Sequence, residues 1–161
     1  MSLRPSGRPS GPSESAKKTF DGVGVDSVRT GTLPHAHRTG YEMAVIEDVL
    51  ALGSALERSY PVYVRGRLKF RVGQMVYVAF SLDESVMGFA FPKEERAALV
   101  GGDPRKFQMP SASDMRFNWV HADLATLDPS EARELVVDAW RMVVPAKVSR
   151  AYDLAHPTGP G

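Results

Sequence analysis

The sequence predicts an α+β domain: a small antiparallel sheet with its helices packed mainly on one face. Three observations predict it. Residues 62–72 alternate strictly between apolar and basic side chains, the period of a half-buried strand. Apolar side chains recur at three- and four-residue steps over 43–60 and again over 135–143, the period of a helix with one buried face. The strands come as a run rather than alternating with helices, in the order helix, three strands, helix, strand, helix, helix. That order suits an antiparallel sheet better than a parallel one.

The first helix is expected from Tyr41 to Tyr60. Thr39 and Glu42 have capping-box spacing, and Met43, Ile46, Val49, Leu50, Gly53, Leu56 and Tyr60 form its apolar stripe. Pro61 ends it, because the residue before a proline is pushed out of the helical region. The first strand follows over Val62–Val72. Val62, Val64, Leu68, Phe70 and Val72 face a core, while Tyr63, Arg65, Arg67, Lys69 and Arg71 face solvent. Gly73-Gln74 suits a two-residue hairpin turn with glycine first. Met75–Phe80 and Val86–Phe91 complete a three-stranded meander around the turn Asp83-Glu84-Ser85. A short helix, Pro92–Val100, is opened by proline and closed by Gly101-Gly102. Residues 103–114 read as an irregular connection and Met115–Leu124 as the last strand. Asp128-Pro129-Ser130-Glu131 opens the third helix with an N-cap aspartate, a first-turn proline and a glutamate at N3. Pro145 interrupts it, and Ala146–Leu154 forms the fourth.

The 161 residues are one domain's worth, divided near residue 40. Residues 1–40 hold six Gly, four Pro and six Ser, with apolar side chains scattered singly. Such a segment buries too little surface to repay its ordering entropy, so a flexible tail with a local charge excess of +3 is expected. Residues 41–154 are expected to form the folded domain, and 155–161 a second flexible end. The folded part, 41–161, carries 14 basic and 16 acidic residues. With no cysteine in the chain, a disulfide scaffold, a thiol nucleophile and a cysteine-based zinc site are all excluded. No apolar run approaches the roughly 20 residues of a membrane-spanning helix. The start, Met1-Ser2-Leu3-Arg4-Pro5, shows no secretory h-region. A soluble cytoplasmic protein is the expectation.

Enzyme chemistry finds little footing. His35 and His37 stand in the tail without further ligands, so no metal site is expected. His121 falls in a strand and reads as a structural residue. Glu47/Asp48, Asp83/Glu84 and Glu94/Glu95 are sequence neighbours whose side chains diverge, which does not make an acid–base pair. Gly101-Gly102-Asp103-Pro104 is a helix stop, and Gly22-Val23-Gly24 precedes no helix, so neither fits a phosphate loop. No cofactor is implied. Trp119 and Trp140 both fall on the apolar rhythm of their elements and read as core anchors.

The feature with chemical direction is the stripe Arg65-x-Arg67-x-Lys69-x-Arg71. Strand geometry spaces alternate residues about 7 Å apart, roughly the step of successive backbone phosphates. The plain reading is a solvated sheet face, or an exposed strand protected by its cations. The functional reading is weak, salt-sensitive contact with duplex DNA through these four residues, helped by Lys147, Arg150 and the basic tail. Two alternatives accompany it: docking of an acidic protein partner on the same face, or binding of a small anion near Arg105, Lys106 and Arg116.

Residues 41–154 resemble the MmcQ/YjbR-like family. The resemblance rests on the opening helix, Lys69-Phe70, Gly88-Phe89-Ala90-Phe91-Pro92-Lys93-Glu94-Glu95, Gly102-Asp103-Pro104-Arg105-Lys106-Phe107, Asn118-Trp119-Val120 and the run Asp138–Lys147. It implies an α+β sandwich similar to the CyaY-like arrangement and a suggested DNA-binding role through strand-and-turn wings. It implies no catalytic residues. Many members carry a lysine in the third strand where this chain has Ala90. A frataxin-like iron role would need an acidic ridge on the first helix, and Arg58 interrupts the one that Glu42, Glu47, Asp48 and Glu57 begin.

Overall fold

The computed structural model describes residues 40–158, with side chains from Val45 onward. The flexible tail expected over 1–40, Thr39 at its N-cap position and the last three residues of the C-terminal end lie outside the described residues. The order is α1 (Gly40–Ala55), β1 (Ser59–Val64), β2 (Arg67–Val72), β3 (Met75–Phe80), β4 (Val86–Ala90), α2 (Arg96–Gly102), β5 (Phe107–Gln108), β6 (Trp119–Asp123), α3 (Pro129–Arg141) and α4 (Ala146–Ala155), with 3-10 turns at Ala112–Asp114 and Leu124–Thr126. The strands form one antiparallel sheet in the order β1-β2-β3-β4-β6-β5. The α+β class and the helical cover are as the sequence predicts.

The first core lies between the sheet and its helices. Leu68, Phe70, Val78, Phe80, Met87, Phe89, Val120 and Ala122 meet Val45 and Val49 of α1 and Val136, Ala139 and Trp140 of α3. Trp140 Nε1 donates to the carbonyl of Glu57 at 3.0 Å, tying α3 to the connection between α1 and β1. Asp128 caps α3 through the Glu131 amide at 2.8 Å, as its sequence signature requires. Tyr152 of α4 lies edge-on to Trp140, with ring centroids 5.3 Å apart, and holds α4 on the helical layer.

Four expectations are corrected. The first helix stops at Ala55, not at Tyr60, because Arg58 takes a left-handed conformation and turns the chain into β1. Pro61 therefore lies inside a strand, which an edge strand tolerates because its missing N–H can face solvent. The long strand expected over 62–72 is two strands joined by a tight turn at Arg65-Gly66, both with positive φ (54° and 82°), a hairpin geometry with the right-handed twist the strands need. The second helix begins at Arg96 and keeps Gly101 and Gly102 inside its last turn, and a two-residue strand, β5, forms within the connection expected to be irregular.

The sheet's second face, opposite the helices, is also apolar in the middle. A register shift between Phe70/Arg71 on β2 leaves Tyr77 as an extra residue on β3, which keeps Val76 and Ala79 together on this face. There they cluster with Trp119 and Phe117. A Cβ at Gly88 would come within 2.7 Å of the Trp119 ring, so the indole lies flat against a strand position that only glycine can fill.

Candidate nucleic-acid interface

The β1–β2 hairpin divides the four cations of the stripe. Arg65 is exposed at the turn. Arg67, Lys69 and Arg71 alternate with Leu68 and Phe70 of the first core and so project from the second face. Pairing sets Arg67 opposite Val64, Lys69 between Val62 and Ala79, and Arg71 between Tyr60 and Val76. Arg67 and Arg71 are half-buried, and Arg71 Nε is buried without a hydrogen-bond partner. Lys69 is 0 % exposed. The expected row of four solvent-facing cations is therefore wrong at its centre: apolar neighbours on both adjoining strands remove Lys69 from solvent.

The other predicted residues fall elsewhere. Lys147 and Arg150 are exposed on α4, whose Val148 and Tyr152 belong to the helical layer, so they lie across the molecule from the second face. Lys106 bonds both carboxylate oxygens of Glu131 at 2.8 Å and stands 3.9 Å from Asp103. The Glu131 hydrogen bond raises its pKa. Its charge is already matched within the fold, and Lys106 acts as a tie between α3 and the β5 approach. Arg105 is exposed, and Arg116 is exposed with its guanidinium 4.8 Å from the Phe117 ring centroid.

Several groups lie outside the sites that the sequence assigns. Arg58 is exposed at the other end of β1 from Arg65. Tyr60 and Tyr63, between them, are 42 % and 66 % exposed, and the Tyr60 hydroxyl donates to the Gly73 carbonyl at 2.7 Å. Arg96 is buried and donates to the carbonyls of Met115, Phe117 and Trp119, which pins the connection before β6. His121 is buried on the second face with neither ring nitrogen hydrogen-bonded, and burial pushes its pKa down to about 4. Tyr63 had a readable signal in its place on the solvent side of the alternation, and Arg58 in the stretch without acidic residues that it begins. Residues 58–82 contain five basic residues and no Asp or Glu, and they make β1, β2 and β3.

Among the described residues no three His, Cys, Asp or Glu side chains gather as metal ligands, and no helix is long and apolar enough to cross a membrane.

A family model described as YjbR matches residues 54–142, more than half of the chain. The chain belongs to the YjbR family. The matched region of this YjbR member runs from the end of α1 through α3 and includes the whole sheet. The fold has a counterpart in the crystal structure of Deinococcus radiodurans protein DR2400, which carries a DUF419 domain. The two share 17 % identity with a TM-score of 0.54, over 68 % of this chain and 86 % of that one, a likeness of fold alone. A comparison with curated proteins gives no match.

Proposed function

We propose that this YjbR domain is a non-enzymatic module that contacts the phosphate backbone of DNA through the β1–β2 hairpin. Arg65 at the turn and Arg71 beside Tyr60 make the principal contacts, with Arg67 at their side. Lys69 is buried and makes no contact with the ligand. The observation that carries this reading is the acid-free half of the sheet: five cations and no carboxylate in residues 58–82. An anion approaching these strands meets no repulsive side chain from them. Contacts of this kind fix position without reading sequence.

The test is a fluorescence-anisotropy titration of the full chain with labelled duplex DNA, compared with Arg65→Glu/Arg71→Glu and with Lys147→Glu/Arg150→Glu. Binding lost in the first variant and kept in the second is the expected result. Equal binding by the first variant and the unmodified chain overturns the reading. If the hairpin variant instead keeps its DNA behaviour and loses a co-purifying acidic protein, the face serves protein docking.

A further inference from the structure

We infer that the ligand of the β1 edge is single-stranded rather than duplex nucleic acid, a conclusion that rests on the phosphate-contact reading above and names its substrate class. β1 is an edge strand. It is flanked by exposed arginines, Arg58 and Arg65, both with positive φ. Six residues of extended chain lie between them, seven steps that span roughly 23 Å. Between them stand Tyr60 and Tyr63, the two exposed aromatic rings of the strand. Tyr60 pairs with Arg71 and lies on the second face with Val62 and Val64, while Tyr63 pairs with Leu68 and lies on the first. The rings therefore flank the edge, one on each side of the sheet.

Edge aromatics between cations match what a single strand offers. Phosphates reach the arginines, and base faces reach the rings, because every base has a π-face to stack. A duplex hides those faces inside its own stack, so the tyrosines would add nothing to duplex affinity. Tyr60 is also preorganised: its hydroxyl bond to the Gly73 carbonyl fixes the ring before any ligand arrives. Edge pairing by a peptide strand is the competing use of such a surface. Pro61, at the centre of β1, works against it because it has no N–H to give an incoming strand.

The decisive experiment titrates the full chain with a labelled single-stranded oligonucleotide, as DNA and as RNA, and with the duplex of the same sequence. Tyr63→Ala, Tyr63→Phe and Arg58→Ser are measured beside the unmodified protein. Tyr63 is chosen because its exposure lets the alanine variant fold. Tighter binding of the single strand is expected, with about a ten-fold loss in Tyr63→Ala, near-full retention in Tyr63→Phe, and no change in duplex affinity. Equal or tighter duplex binding, with Tyr63→Ala indistinguishable from the unmodified chain, overturns the inference while leaving the phosphate reading intact. Absence of binding to either form removes both. A DNA-against-RNA difference that survives Tyr63→Ala assigns sugar discrimination to groups other than this ring.

Discussion

His121 is the residue whose environment departs furthest from its ordinary chemistry. It sits on β6 opposite Gly88 and Gln108, fully buried, with both ring nitrogens unpartnered. Burial favours the neutral imidazole, so the folded-state pKa falls to about 4, below the ordinary value of 6.5. The sign follows from linkage. Stability is whole above pH 6.5 and is lost as pH falls toward 4, by at most about 3 kcal/mol. Asp114 slopes the other way: burial raises its pKa, so its carboxylate weighs on the fold as pH rises through that value. Denaturant unfolding of the unmodified chain and of His121→Leu, across pH 7 to 4, separates the two. The leucine variant should lose most of the decline below pH 6.5. At pH 7 it should stay within about 1 kcal/mol of the unmodified chain, because no hydrogen bond is broken. An unchanged acid profile would place the titrating group elsewhere.

At the scale of elements the β1–β2 hairpin decides most of what is distinctive here. Its turn uses an arginine where Asn-Gly is the favoured pair, and a left-handed arginine costs up to about 1–2 kcal/mol that asparagine largely avoids. Arg65→Asn should therefore raise the melting temperature while weakening nucleic-acid binding, opposite effects that a stability-driven loss of binding could not produce. Gly66→Ala should lower it, since φ is 82° and the new Cβ would stand 3.3 Å from Leu82 Cδ1. The same turn explains why the sequence was legible only in part. Helix α3 could be read from Asp128, Pro129 and Glu131 because its capping chemistry is local. The alternation over 62–72 is real, but it runs through a two-residue turn that pairs Val64 with Arg67 and Val62 with Lys69. Each pair joins an even position to an odd one, so parity reverses at the turn. The valines of β1 then share a face with the cations of β2, not with Leu68 and Phe70. A long-range fact of this kind, together with the apolar cluster of Val76, Ala79 and Trp119 above the same face, buries Lys69 without any local signal. The exposure of Tyr63 was legible in the alternation, but that of Tyr60, expected in the apolar stripe of the first helix, was hidden for the same reason, because only sheet order shows that β1 is an edge.

Over the whole molecule the charges are segregated, although the net charge is only +1. Residues 58–82 carry +5, while the rest of 41–161 holds nine basic against sixteen acidic residues, a net of −7. The helical layer contributes much of that negative charge, including the exposed Glu134, Asp138 and Asp153. Such a dipolar domain should attract a polyanion to β1–β3 and repel it from the helices, so binding is oriented even where it is weak. Orientation limits the number of phosphates reached. Arg58, Arg65 and Arg71 are the cations placed to neutralise them, with the half-buried Arg67 a lesser contact, whereas Lys106 is held by Glu131 and Lys147 and Arg150 stand in the helical layer. Counterion release then predicts a shallow salt dependence. The slope of log K against log salt should be about −2 to −3, less steep than for a protein whose whole surface is basic. Each single reversal, Arg65→Glu or Arg71→Glu, should reduce the steepness by about one or more, while Lys147→Glu leaves it unchanged. Affinity measured for the full chain at several salt concentrations checks this directly. A steeper slope that survives both hairpin reversals would assign the electrostatic contact to the basic residues before position 40. The sheet would then be free for a different partner.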